Sequence, residues 1–120
     1  MRADWEQAFS VGAEGRNAAG EYFLLAIDDP DDMTYVAFMI MSADLKTLEL
    51  YLVGDVVPSD DGKGFVLIDD HSDMTVPFTI NNTEEGFDLG FKDGDVAKME
   101  GVPQKVILDD MLGIIEATMD

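Results

Sequence analysis

Glu21-Tyr22-Phe23-Leu24-Leu25-Ala26-Ile27 and Thr34-Tyr35-Val36-Ala37-Phe38-Met39-Ile40-Met41 flank the turn sequence Asp28-Asp29-Pro30-Asp31-Asp32. Pro30 presets one turn dihedral and the Asp side chains bond nearby backbone groups, so the two runs read as a β-hairpin. Successive strand side chains point to opposite faces. The first run sets Tyr22, Leu24 and Ala26 against Phe23, Leu25 and Ile27; the second sets Val36, Phe38 and Ile40 against Tyr35, Ala37, Met39 and Met41. Neither strand has a polar face, so both sides of the hairpin need cover. Terminal helices or a second copy of the chain would supply it, because such a patch exceeds what soluble monomers usually expose.

Downstream, short apolar runs alternate with turn residues, the signature of an antiparallel meander. A third strand spans Thr47 to Val53, with Leu48, Leu50 and Leu52 on one face. Gly54 to Gly64 reads as an exposed connection, and a fourth strand covers Phe65 to Ile68. Asp69 to Asp73 turns the chain into a fifth strand, where Met74, Val76, Phe78 and Ile80 share a side. Pro77 places that strand at an edge or a bulge, since proline cannot donate to a ladder. The sixth strand points Phe87, Leu89 and Phe91 inward. Asp93-Gly94, the strongest hairpin signal in the chain, leads to a seventh, Val96 to Glu100.

Upstream, Trp5, Ala8 and Phe9 mark a short N-terminal helix, and Ser10 to Gly20, with three glycines and no sustained period, reads as loop. At the other end Val106, Ile107, Met111, Leu112, Ile114, Ile115 and Met119 form a helical stripe opposite Lys105, Asp109, Asp110 and Glu116. Gly113 within it suggests a close approach to the sheet. The expected fold is α+β in a single domain over 1–120. Residues 1–19 are a short helix and loop, 20–101 an antiparallel β-meander of about seven strands forming an open or barrel-like sheet, and 103–119 an amphipathic C-terminal helix packed on it.

Composition excludes several functions. The 120 residues carry 26 acidic and 7 basic side chains, a formal charge of −19. No basic stripe can form to neutralise phosphates, which argues against nucleic acid and against anionic membranes. The 47% apolar content supplies an ordinary core. Without cysteine there are no disulfides, thiolate metal sites or cysteine nucleophiles. An acidic start with no apolar run carries no signal peptide, so the expected location is cytoplasmic, although a trimmed secreted domain would read the same.

The acidic pairs Asp28-Asp29, Asp31-Asp32, Asp60-Asp61, Asp69-Asp70 and Asp109-Asp110 fall mostly in turns, where Asp serves its own backbone. Their functional alternative is a hard cation held by pooled carboxylates. The helix-loop-helix calcium spacing fails at Gly62, Gly86 and Gly94. That leaves Asp60, Asp61, Asp69, Asp70, His71 and Asp73 as weak metal candidates. His71 is the only imidazole, and one His among acids on a turn does not build a zinc site, nor Ser72 beside it a triad. Glu49 stands between Leu48 and Leu50, an apolar neighbourhood that could raise its pKa, but alternation turns it to the polar face. No phosphate-binding glycine motif occurs. No catalytic residue, cofactor or enzymatic activity is expected.

The rhythm from Thr47 to Val102, including Asp93-Gly94-Asp95, resembles small bacterial lipocalin-like β-barrels over about half the chain. Gly20-Glu21-Tyr22 carries Tyr where the G-x-W entry motif of that family has Trp. The resemblance implies an apolar ligand in a barrel mouth lined by Phe and Met side chains. Eight methionines in the chain suit either core filling or an adaptable apolar surface.

Three functions follow as expectations. The first is a non-enzymatic acidic binding or adaptor domain working through protein contacts as a homodimer, with Tyr22, Leu24, Tyr35, Phe38, Met39 and Met41 as the apolar contact or ligand surface. A sharper form is an inhibitor or immunity-type polyanion mimic of a basic protein. The second is a carrier of a small apolar ligand. The third is adaptation to high salt, which predicts unfolding at low salt.

Overall fold

The segment between Ser10 and Gly20 contains a strand, which makes eight strands in place of the expected seven and lets the sheet close. In a computed structural model that describes residues 2–118, the order is α1 (Arg2–Ala8), β1 (Val11–Asn17), β2 (Tyr22–Ile27), β3 (Tyr35–Met41), β4 (Leu48–Pro58), β5 (Phe65–Asp69), β6 (Thr75–Asn82), β7 (Phe87–Phe91), β8 (Val96–Pro103) and α2 (Gln104–Thr118). Each strand pairs antiparallel with the next, and β1 pairs with β8 from Val11↔Pro103 to Asn17↔Ala97, giving a closed meander barrel. Met119, assigned by sequence to the helical stripe, lies outside the described residues.

Closure divides the core in two. Ala13, Phe23, Leu25, Val36, Phe38, Leu52, Leu67, Phe78, Leu89 and Met99 fill the barrel interior. Leu24, Ala26, Ala37, Met39 and Met41 lie on the outer face of the first hairpin, beneath Phe9 and the buried stripe Ile107, Leu108, Met111 and Ile115 of α2. The two apolar faces of β2 and β3 are thus one lumen face and one helix-covered face. No second chain is required to bury either. Leu108 belongs to that stripe, whereas Val106 points outward.

The helices are tied to each other and to the barrel. Gln104 Nε2 donates to the carbonyls of Glu6 (2.9 Å) and Phe9 (2.7 Å), and Arg2 pairs with Asp109 at 2.7 Å. Trp5 meets Phe9 edge-on, and Phe9 stacks on Tyr35 with centroids 5.7 Å apart. The close approach expected at Gly113 occurs at Gly12 instead. A Cβ on Gly12 would lie 2.4 Å from Ile107 side-chain carbons, while around Gly113 there is open space.

Three local expectations change. β4 continues through Val56 and Pro58, because Gly54 to Pro58 pairs with β5, so the exposed connection begins only at Ser59. A bulge opposite Ile40 and Met41 inserts Glu49, which turns Leu48 to the helix-covered face while Leu50 and Leu52 face the lumen. Pro77 is on no edge, since a closed barrel has none; it pairs with Val66 and sits just past the end of the β6–β7 ladder, where no amide hydrogen is called for. Met74 precedes β6 and is exposed.

Candidate functional site

Side chains fill most of the lumen. A void lined by Leu25, Val36, Leu67, Phe78 and Leu89 measures about 10 Å³, room for about one water and with no polar lining to hold it. An eight-stranded barrel is just wide enough for its side chains to meet in this way. At the end of the barrel holding the β1–β2, β3–β4 and β7–β8 turns, the packing stops at three phenylalanines. Phe23, Phe38 and Phe91 group with ring centroids 5.6 to 6.0 Å apart. Above them opens a groove of about 270 Å³, with Ile40, Leu50, Val76 and Phe91 as apolar lining and Glu21, Asp93 and Asp95 as acidic lining.

Asn17 organises the acidic side of this mouth. It is the last residue of β1, only 8% exposed, and its side chain is fully committed. Nδ2 donates to Glu21 Oε1 and to Asp95 Oδ2, each at 2.9 Å, and Oδ1 accepts the Glu21 amide at 2.9 Å. One buried amide thereby fixes carboxylates from two different turns. Gly94 supplies the tight β7–β8 turn with φ +89°, and Asp93 Oδ1 accepts the Asp95 amide, which sets Asp95 at the rim. Glu49, thrown outward by the bulge, meets Glu21. Hydrogen bonds from Glu49 and Asn17 pull the Glu21 carboxyl below the ordinary carboxylate range, and the same contact pushes Glu49 up.

A second carboxyl pair lies between barrel and helix. Asp110 of α2 meets Glu14 of β1, next to the Tyr22 hydroxyl. Partial burial, then the hydrogen bond and charge of Glu14, push Asp110 up to about 6. Tyr22 is raised by burial and by its bond to Glu14. Glu14 Oε2 is buried without a hydrogen-bond partner.

Of the metal candidates, Asp61 and Asp69 are engaged in turn chemistry and Asp70 is bonded to Tyr35. Ser42-Ala43-Asp44-Leu45-Lys46 and Ser59-Asp60-Asp61-Gly62-Lys63 build the same loop twice. In each, the Ser hydroxyl donates to the Asp carboxylate at 2.6 Å, which also accepts the Lys amide at 3.0 Å. These bonds lower Asp61. Asp69 accepts the Val53 amide (3.1 Å) and the Ser72 hydroxyl (2.7 Å), bonds that hold it below its usual range, and Asp70 accepts the Tyr35 hydroxyl at 2.7 Å. Asp60, His71 and Asp73 are exposed. Among the described residues no three His, Asp or Glu side chains converge as a metal site would need.

The residues expected to form one apolar contact or ligand surface are divided by the fold, and of them Phe38 lines the mouth groove. Leu24 and Met39 are 0% exposed under the helices, Met41 is buried beside them, and Phe38 faces the lumen, while Tyr22 and Tyr35 are half-buried at the helix margin. The residues at the mouth that sequence reasoning missed are Asn17, Glu21 and Asp95. Asn17 stood in a segment read as loop, and only the pairing of β1 with both β2 and β8 brings it beside two turns. Among the described residues, no helix is long and apolar enough to cross a membrane. Comparison with protein-family models, with curated proteins and with solved structures finds no match.

Proposed function

We propose that this protein is a non-enzymatic binding domain that takes a small, partly apolar ligand at one mouth of the barrel and not in its interior. The observation that carries the reading is the contrast between a lumen with about 10 Å³ of free space and a mouth groove of about 270 Å³ floored by Ile40, Leu50, Val76 and Phe91. Ligand sites are concave and mostly apolar with a few placed polar groups, and small barrels offer them at their mouths. The groove is near the lower end of the usual volume range, which suits a ligand of several non-hydrogen atoms rather than a lipid.

Titration with 1-hexanol, followed by ¹H–¹⁵N and methyl NMR, tests this. Shifts are expected at Ile40, Leu50, Val76 and Phe91 and are reduced in Leu50→Asn. Shifts confined to the outer surface under α2, or none at millimolar hexanol, would remove the reading.

A second reading has its own support in the surface charge. The three ion pairs among the described residues involve only Arg2 and Lys105 with Glu6 and Asp109. The remaining acidic surface would steer a basic protein, as an adaptor or polyanion mimic does. Such binding falls steeply between low and high ionic strength, whereas hexanol binding does not.

A further inference from the structure

We propose that the mouth takes an extended, basic peptide segment, which adds as a strand to the free edge of β4 at Tyr51 and places one apolar side chain in the groove. This rests on the mouth being the ligand site and identifies what presents the apolar group.

Closure pairs every strand along part of its length, but β4 outruns β5 at the mouth. β4 begins at Leu48, whereas its pairing with β5 begins only at Gly54↔Asp69. Val53 ends that contact: its N–H donates to Asp69 Oδ1 at 3.1 Å and its carbonyl accepts the Asp70 amide at 2.8 Å. Backbone groups alternate sides along a strand, so Tyr51, two residues earlier, turns its N–H and C=O the same way, past the end of the β5–β6 hairpin. On the β3 side Tyr51 and Met39 are accordingly a non-hydrogen-bonded pair, and among the described residues neither backbone group of Tyr51 has a partner. An unpaired donor and acceptor on a strand edge are a template for another extended chain.

The groove beside this edge narrows the occupant. A segment lying along β4 alternates its side chains as β4 does. The residue paired with Tyr51 points outward, and its neighbour opposite Leu50 points inward, into the groove lined by Leu50, Val76 and Phe91. A volume of about 270 Å³ suits one such side chain. Glu21, Asp93 and Asp95 are the charged part of the lining, and among the described residues no Lys, Arg or His shares it, so Lys or Arg on the segment complements the rim. A second copy of this chain would instead set a charge of −19 against its equal.

The test titrates the intact chain at pH 7 and 150 mM salt with the peptide acetyl-Lys-Val-Leu-Val-Lys-amide, read by NMR beside the hexanol titration. Expected are cross-strand NOEs between peptide and Tyr51, and Tyr51 amide exchange slowed about tenfold or more at saturation. N-methylation of both valines removes the N–H that pairs with Tyr51 and weakens binding about fivefold or more, the increment of a hydrogen bond. Tyr51→Pro deletes the edge N–H without touching the β3 ladder, and is expected to lose the peptide while keeping hexanol. Where that variant alters the amide spectrum beyond β4, the N-methylated peptide decides. Exchange of both lysines for glutamine weakens binding several-fold in the wild type and less in Asp95→Asn; equal affinity of the two peptides in the wild type overturns the basic character of the segment. Hexanol binding without peptide binding, or peptide binding undiminished by N-methylation, overturns strand addition and leaves the mouth as an apolar site. Tyr51 protection that rises with protein concentration in the absence of peptide gives the edge to a second copy and overturns the inference too. Failure of both probes overturns the mouth reading as well.

Discussion

Replacing Asp110 by Asn should stabilise the protein at neutral pH and leave it unchanged in mild acid. The Asp110 carboxyl faces Glu14 from β1 and the Tyr22 hydroxyl from β2, with Arg16 lying over the Tyr22 ring and Asp109 next to it on its own helix. Its pKa rises on folding from 3.8 to about 6. A group whose folded value is raised contributes stability that is complete below its unfolded value and is lost as pH climbs through the folded one. The window is therefore pH 4 to 6, and by pH 7 the loss is complete. At 1.36 kcal/mol per pKa unit the shift sets an upper limit of about 3 kcal/mol. Asp110 stays partly open to water, and screening reduces this to about 1 kcal/mol. Asn removes the titration and offers an N–H to Glu14 Oε2, which has no partner. The expected gain is about 1 kcal/mol at pH 7.5, or a Tm higher by about 4 °C, and near zero at pH 4.5, where the protonated Asp already donates. Circular-dichroism melts of both proteins from pH 4.5 to 8 read this difference, with the general effect of the acidic surface common to both. Parallel curves across that range, or an equal gain at both ends, would refute the account of the Glu14–Asp110 contact.

Two other perturbations probe the architecture. A Cβ on Gly15 would sit 1.8 Å from the Lys98 carbonyl oxygen, so Gly15→Ala should force β1 away from β8 and cost about 3 kcal/mol, with hydrogen exchange in Gly12 to Asn17 rising first; a fully protected β1 in that variant would contradict the closure described above. Met39→Ala, at a site with no solvent exposure beneath α2, should cost 2 to 5 kcal/mol by urea unfolding, roughly as buried Met truncations do, and a cost under about 1 kcal/mol would mean that the helix is not seated there.

Much of the barrel is legible in the chain. Alternation in Val76, Phe78 and Ile80 and in Phe87, Leu89 and Phe91 reports directly which side chains reach the lumen, because period two is a property of the strand itself. Asp93-Gly94 marks its hairpin because only a few residues tolerate the positive φ the turn demands. β1 is the contrary case. Val11-Gly12-Ala13-Glu14-Gly15-Arg16-Asn17 has weak strand propensity, and its glycines answer to Ile107 and to the Lys98 carbonyl, neighbours about 90 residues away. Glu49 likewise reads as an ordinary polar-face residue until the bulge places it against Glu21.

By itself the sequence determined an acidic α+β meander with a C-terminal helix, and a first hairpin that had to be covered on both faces, because those facts follow from charge counts and from local periodicity. Whether the second face met helices or another chain, whether the sheet closed, and which few of the 26 acids gathered at one rim were decided only in three dimensions. Each depends on contacts between residues far apart in the chain, and Asn17, holding Glu21 four residues on and Asp95 seventy-eight residues on, shows why no local pattern could have announced them.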